Sequence, residues 1–169
     1  MKMQYCTHFY TGDGKGKTTA ALGLALRFIG AGGPVLLLQF MKGAPSAELL
    51  PLATLGVDIK RLSIDYGLFP RTEDRAAIKK EHDAMLQSAR TFQRNGGLLL
   101  LDECISAYNL QLLDCNLLES ILQEKSCEIV CTGRNVSERL LPYADYITDM
   151  KAVRHPYTKG LGARRGIEF

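Results

Sequence analysis

The chain has 169 residues, of which 46% are hydrophobic and 23% are charged, a composition typical of an ordinary globular domain with a full core. No apolar run approaches the ~20 residues of a membrane span, and the N-terminus leads directly into an apolar segment that leaves no room for a signal peptide. We therefore expect one cytoplasmic domain, residues 1–169, without membrane contact. The net charge of +3 is uneven, because residues 151–169 contain five Lys/Arg and one Glu. This basic tail predicts either contact with an anion or a solvated segment.

The first predicted elements are a strand, a glycine-rich turn and a helix. Such a turn directs backbone N–H groups at a phosphate chain, and the helix N-terminus adds partial positive charge. Lys17 can reach phosphate oxygens, and the Thr18 hydroxyl can hold Mg²⁺. The motif is a variant, because Thr11 stands where the standard pattern has glycine and Lys15 adds a cation. We expect a nucleoside triphosphate to bind the loop residues Gly12, Asp13, Gly14, Lys15, Gly16, Lys17, Thr18 and Thr19.

Strand and helix patterns alternate along the rest of the chain. Strands are predicted at residues 5–10, 35–40, 57–64, 98–101, 129–132 and 146–150. Helices are predicted at residues 20–29, 46–55 and 72–95, the last one capped by Thr72. This alternation predicts an α/β fold with a mostly parallel central sheet flanked by helices, and ligands at the carboxyl ends of its strands.

Charged residues follow three of the predicted strands. Asp102 and Glu103 can hold Mg²⁺ opposite Thr18, the alternative being acids that only cap the next helix. Lys42 and Arg134 are expected to face the same crevice and to neutralise phosphate charge, the alternative for each being a surface cation. His82 falls on an apolar helical stripe and is predicted to be a core residue.

The motifs occur in a fixed order: the variant loop, Gln-Phe-Met-Lys-Gly at 39–43, Leu-Asp-Glu at 101–103, Thr-Gly-Arg at 132–134, and the tail at 153–169. Together they resemble the P-loop corrinoid adenosyltransferases. The resemblance implies a RecA-like domain and a homodimer. It also implies transfer of the 5′-deoxyadenosyl group of ATP to the cobalt of a reduced corrinoid, with release of triphosphate. ATP would lie reversed relative to most P-loop enzymes. ATP, Mg²⁺, the corrinoid and an electron donor or reductase would be the cofactors and partners.

The resemblance also suggests roles for individual residues. Cob(I)alamin is a strong nucleophile, so no protein base is needed. Lys17 and Arg134 would then act catalytically by stabilising charge on the departing triphosphate. Family members carry a phenylalanine and a tryptophan in the loop after the third strand, and these displace the lower cobalt ligand. This chain has no tryptophan, so Phe69, alone or with Tyr66 or Leu68, is the candidate for corrinoid contact.

Two other functions fit the motifs. A small-molecule kinase or NTPase would use Glu103 to orient a hydroxyl or water, and it would release ADP rather than triphosphate. A non-catalytic ATP-dependent corrinoid-binding module would bind both ligands without turnover. Nucleic-acid binding is not expected, because only the tail is basic and stacking positions are not evident.

Overall fold

A computed structural model of the chain describes residues 4–67, 70–156 and 160–168. Within these residues a six-stranded sheet has the order β3-β2-β4-β5-β1-β6, and every pairing is parallel. The α/β prediction is confirmed, and the sheet is entirely rather than mostly parallel. The strands are β1 Thr7–Thr11, β2 Val35–Gln39, β3 Asp58–Arg61, β4 Leu98–Asp102, β5 Glu128–Thr132 and β6 Tyr146–Asp149.

Helices cover both faces of this sheet. They are α1 Lys17–Gly30, α2 Leu49–Thr54, α3 Arg75–Gln93, α4 Cys104–Asn109 and α5 Cys115–Glu124. The sequence did not predict α4 or α5, although Asp114 accepts a hydrogen bond from the Leu117 amide at 3.0 Å and caps α5 as a sequence signal would require. The Thr72 cap was wrong. Thr72 opens a short 3₁₀ turn, and α3 begins at Arg75 without a side-chain cap.

The leucine run of β4 divides the core. Leu99 and Leu101 pack on the face covered by α3, α4 and α5, whereas Leu98 and Leu100 pack on the face covered by α1. All four side chains are buried, and each buried leucine stabilises the fold by about 1.5–3 kcal/mol. These leucines therefore stabilise the centre of the sheet, and β4 ends with Asp102 at the carboxyl edge of the sheet.

His82 is a core residue, as predicted, and it fixes the end of β2. Its Nε2 accepts a hydrogen bond from the Met41 amide at 3.0 Å, so Nδ1 carries the proton and donates it to the Leu112 carbonyl at 2.8 Å. Burial lowers the pKa of His82 and keeps this neutral form. Met41 has a left-handed backbone (φ 59°) that the bond stabilises, and Lys42 follows directly.

The helices in the described part of the chain include none that is long and apolar enough to cross a lipid bilayer.

Candidate active site

The glycine-rich loop joins β1 to α1. Gly16 precedes α1 with φ 116°, a conformation that favours glycine. The Gly14 amide donates to the Met150 carbonyl at 2.6 Å, so this amide does not point at a ligand as the sequence suggested. No described residue accepts a hydrogen bond from the amides of Gly16, Lys17 or Thr18. These amides at the start of α1 are therefore donors available to an anion.

Lys17 lies inside the loop. Its Nζ donates to the carbonyls of Gly12 at 2.7 Å and Gly14 at 2.9 Å, and its side chain is buried. Burial lowers the pKa of Lys17, and the nearby charge of Arg134 lowers it further. An anion in the loop would restore the preference for the charged ammonium, because opposite charges favour the ionised form.

Asp102 joins three elements at the strand ends. It is 1% exposed, and its Oδ1 accepts hydrogen bonds from Thr18 Oγ1 at 2.8 Å and Thr132 Oγ1 at 2.7 Å. Its Oδ2 accepts one from Lys42 Nζ at 2.6 Å. The structure thus brings Thr18, Asp102 and Lys42 together, as the sequence predicted.

Glu103 occupies a tight turn between β4 and α4. Its backbone is left-handed (φ 60°), which is uncommon for a residue other than glycine, and its amide donates to Thr132 Oγ1 at 2.8 Å. Its carboxylate accepts a hydrogen bond from Ser106 Oγ at 2.7 Å but makes no cap bond to an α4 amide. Glu103 lines the cavity beside the loop, and its role in holding a metal stays a prediction.

Arg134 and Lys15 stand at the rim. Arg134 Nη1 lies 3.2 Å from Asp13 Oδ1, and both side chains are more than half exposed. Exposed pairs of this kind contribute about 0–1 kcal/mol, so a phosphate can readily replace Asp13 as the partner. Lys15 Nζ donates to the Ile167 carbonyl at 2.7 Å, which ties the loop to the chain's C-terminal segment.

A cavity of about 1000 Å³ opens beside these residues, at the upper end of the range for small-molecule sites. Helix α1, including Thr19, forms one wall of the cavity, and residues 41–48 form another. His155 and residues 166–168 also line it, so part of the C-terminal tail lies beside the site while residues 166–168 stay exposed to solvent.

Sequence reasoning missed charged residues of the cavity wall, among them Arg61 and Glu48. Arg61 ends β3 and donates to the carbonyls of Lys42 and Ala44. The sequence predicted that this strand runs to residue 64. Had its end been placed at Arg61, the position of Arg61 at a strand end would have made it a candidate site residue. Glu48 accepts hydrogen bonds from Ser46 and from Gln39 Nε2. Burial raises the pKa of Glu48, but these hydrogen bonds, one from a backbone amide and the charge of Lys42 together outweigh burial and hold the pKa below its usual value.

Phe69, the candidate for corrinoid contact, and its neighbour Leu68 lie outside the described residues. Tyr66 is partly buried and packs against the larger core cluster. The role of Phe69 stays a prediction.

The donor set at the strand ends suits a metal that arrives with its substrate. Among the described residues no three His, Cys, Asp or Glu side chains are grouped to hold a metal ion. Thr18 and Asp102 instead offer hydroxyl and carboxylate oxygens beside the phosphate loop. Mg²⁺ prefers such hard oxygens, and it commonly takes one or two protein ligands with substrate phosphates and waters. These residues therefore fit a nucleotide-bound Mg²⁺.

Known proteins are similar to this chain over most of its length. Residues 4–169 match the family model described as "ATP:corrinoid adenosyltransferase BtuR/CobO/CobP". A corrinoid adenosyltransferase of Sinorhizobium sp is 32% identical over 94% of this chain and 78% of its own length. Corrinoid adenosyltransferases of Escherichia coli K12 and Salmonella typhimurium LT2 are each 30% identical, over 95% of this chain and 83% of their own lengths.

Proposed function

Because the chain belongs to the ATP:corrinoid adenosyltransferase family, and is therefore an enzyme that adenosylates a corrinoid with ATP, we propose that its glycine-rich loop grips the triphosphate and presents C5′ of ATP to the cobalt. The observation that carries this assignment of the site is the meeting of Thr18, Asp102 and Lys42 beside a loop that has available backbone amides. A large cavity adjoins them.

The reaction makes limited demands on protein side chains. The electron pair of cobalt(I) forms the Co–C5′ bond, the C5′–O bond breaks, and the triphosphate leaves with that bond's electron pair. The cobalt is already nucleophilic, so the protein supplies alignment and stabilises charge on the leaving oxygens. The site accordingly has several cations but needs no general base.

Each cation has a defined place in this scheme. Lys17 turns from the Gly12 and Gly14 carbonyls to the leaving triphosphate, and Arg134 exchanges Asp13 for phosphate oxygens. Lys15 lies at the rim for the same purpose. Thr18, Asp102 and Glu103 would hold Mg²⁺, which neutralises phosphate charge when bound. Adenosine then lies away from the loop, in the part of the cavity between α1 and residues 41–48.

Incubation with MgATP and chemically reduced cob(I)alamin tests the function. We expect the absorption spectrum of an alkylcobalamin and one free triphosphate for each corrinoid consumed. ADP as the product would instead indicate a kinase or NTPase, and binding of both ligands without turnover would indicate a non-catalytic module. A nucleotide bound with its γ-phosphate toward the open cleft would contradict the orientation of ATP.

The remaining partners follow from the family resemblance. We propose a homodimer, a separate electron donor that reduces the corrinoid, and a cytoplasmic location. Sedimentation equilibrium of the purified protein tests the dimer, and a single species at the monomer mass of 18.7 kDa would contradict it.

A further inference from the structure

Lys42 lines the cavity and forms an ion pair with Asp102, which lies buried behind it. The two charged atoms are 2.6 Å apart, and the side chains are 32% and 1% exposed, respectively. A carboxylate buried to this degree needs a counter-charge, because an isolated ion in the interior is costly. Lys42 supplies that charge from outside the phosphate loop.

A second cation would compete for the same carboxylate. Oδ1 of Asp102 already accepts hydrogen bonds from Thr18 and Thr132, so Oδ2 is the oxygen at which another cation can approach. Lys42 Nζ already donates a hydrogen bond to Oδ2. A divalent ion beside Asp102 would therefore meet the ammonium at short range, where like charges repel strongly.

The Lys42 side chain can reach a second partner in the cavity. It is one-third exposed and lines the same cavity as Lys17 and Arg134. Its ammonium is a point charge on a flexible four-carbon stem, so a change of partner needs only side-chain rotation. Its backbone meanwhile stays fixed, because His82 holds Met41 and the Lys42 carbonyl accepts a hydrogen bond from the Leu62 amide.

We propose that Lys42 is a counter-ion that changes partner: it neutralises Asp102 until MgATP binds, then leaves this carboxylate to Mg²⁺ and pairs with the triphosphate. The inference rests on the proposed function for its metal site. It gives Lys42 two opposite effects, since the ammonium opposes binding of a free divalent ion and favours binding of the triphosphate. The enzyme thereby selects the metal–nucleotide complex over the metal alone.

Mn²⁺ binding to the nucleotide-free protein, followed by electron paramagnetic resonance, tests the first effect. Lys42→Met should bind Mn²⁺ about tenfold more tightly than the unaltered protein, as expected for loss of a partly screened like charge; this corresponds to about 1.4 kcal/mol. Lys42→Arg, which keeps the charge, should stay close to the unaltered protein. Lys60→Met is the matched control, because Lys60 pairs only loosely with the exposed Asp58, at 3.9 Å. Mn²⁺ affinity of Lys42→Met equal to or weaker than that of the unaltered protein overturns the proposal.

Inorganic tripolyphosphate, titrated by calorimetry with Mg²⁺ present, tests the second effect. Lys42→Met should bind it more weakly, and unchanged affinity would also overturn the proposal. In an Asp102→Asn background, Lys42→Met should no longer change Mn²⁺ binding. If Lys42→Met does not fold, Lys42→Gln removes the charge but keeps a hydrogen-bond donor for Asp102. Failure of the unaltered enzyme to adenosylate a corrinoid would refute the proposed function and leave the Mn²⁺ comparison intact.

Discussion

Gly14 lies where the glycine-rich loop contacts the segment after β6. Replacing it with alanine should lower the stability of the fold and weaken ATP binding by the loop. A Cβ at this position would lie 2.5 Å from the Met150 carbonyl oxygen, 2.8 Å from the Met150 carbonyl carbon and 2.9 Å from the Lys151 carbonyl carbon. All three atoms belong to the backbone, so no side chain can rotate away. The loop must therefore separate from the segment that follows β6.

The separation has a calculable cost. Overpacking of this kind destabilises a fold by about 1–3 kcal/mol, and loss of the 2.6 Å bond from the Gly14 amide to Met150 adds about 1 kcal/mol. For a chain of this size each kcal/mol lowers the melting temperature by about 2–4 °C. Gly14→Ala should therefore melt about 4–16 °C below the unaltered protein.

Gly23→Ala is the matched control for stability but not for ATP binding, because Gly23 lines the cavity. Gly23 lies within α1, and a Cβ there would meet no atom within 4 Å. Alanine should therefore stabilise the helix by about 0.5–1 kcal/mol. Differential scanning calorimetry of both variants should show shifts of opposite sign, and calorimetric titration should show weaker ATP binding for Gly14→Ala. A Gly14→Ala melting temperature at or above that of the unaltered protein would refute the steric reasoning.

Three further predictions concern the site and its support. Lys17→Ala should lower adenosylation by about 10²–10³-fold with an unchanged circular dichroism spectrum, because the ammonium contacts only loop carbonyls; near-normal turnover would remove the loop from the mechanism. Thr132→Val should lower the free energy of unfolding in urea by about 1–3 kcal/mol, since it leaves the buried Glu103 amide and one Asp102 lone pair without a partner; an unchanged midpoint would contradict the bond network. The pKa of His82 is lowered on folding, so the unfolded chain takes up the proton first and stability falls as the pH drops below about 6.5. His82→Gln should show a smaller fall in urea titrations between pH 7 and 5, and equal slopes would argue against a buried neutral histidine.

The sequence predicted the parts of the site that depend on local pattern. A glycine-rich turn between a strand and a helix places Lys17 and Thr18 whatever the rest of the fold. The buried leucine run of β4 determines that Asp102 ends a central strand, and a parallel sheet brings its strand ends to one edge. Lys42 and Asp102, 60 residues apart, meet there as expected.

Features that depend on longer paths of the chain were not predictable in this way. The Gly14 amide is bonded to Met150 because β6 pairs beside β1, and no pattern near Gly14 indicates that neighbour. Glu48 reaches the cavity because residues 41–48 run along it without regular structure, whereas the sequence predicted a helix from residue 46 and the structure begins α2 at Leu49. The helix α4 has only six residues, most of them buried, so it shows no amphipathic period for the sequence to reveal.

The edge strand β6 supports the glycine-rich loop of the proposed nucleotide site. All four residues of β6 are exposed, and among the described strands it pairs only with β1. At one end of β6, Asp145 exchanges two hydrogen bonds with Thr7. At the other end, the Met150 carbonyl accepts a hydrogen bond from the Gly14 amide. We therefore predict that damage to β6, such as proteolytic cleavage or the loss of Asp145, weakens phosphate binding at the proposed site, because β6 holds the glycine-rich loop in place.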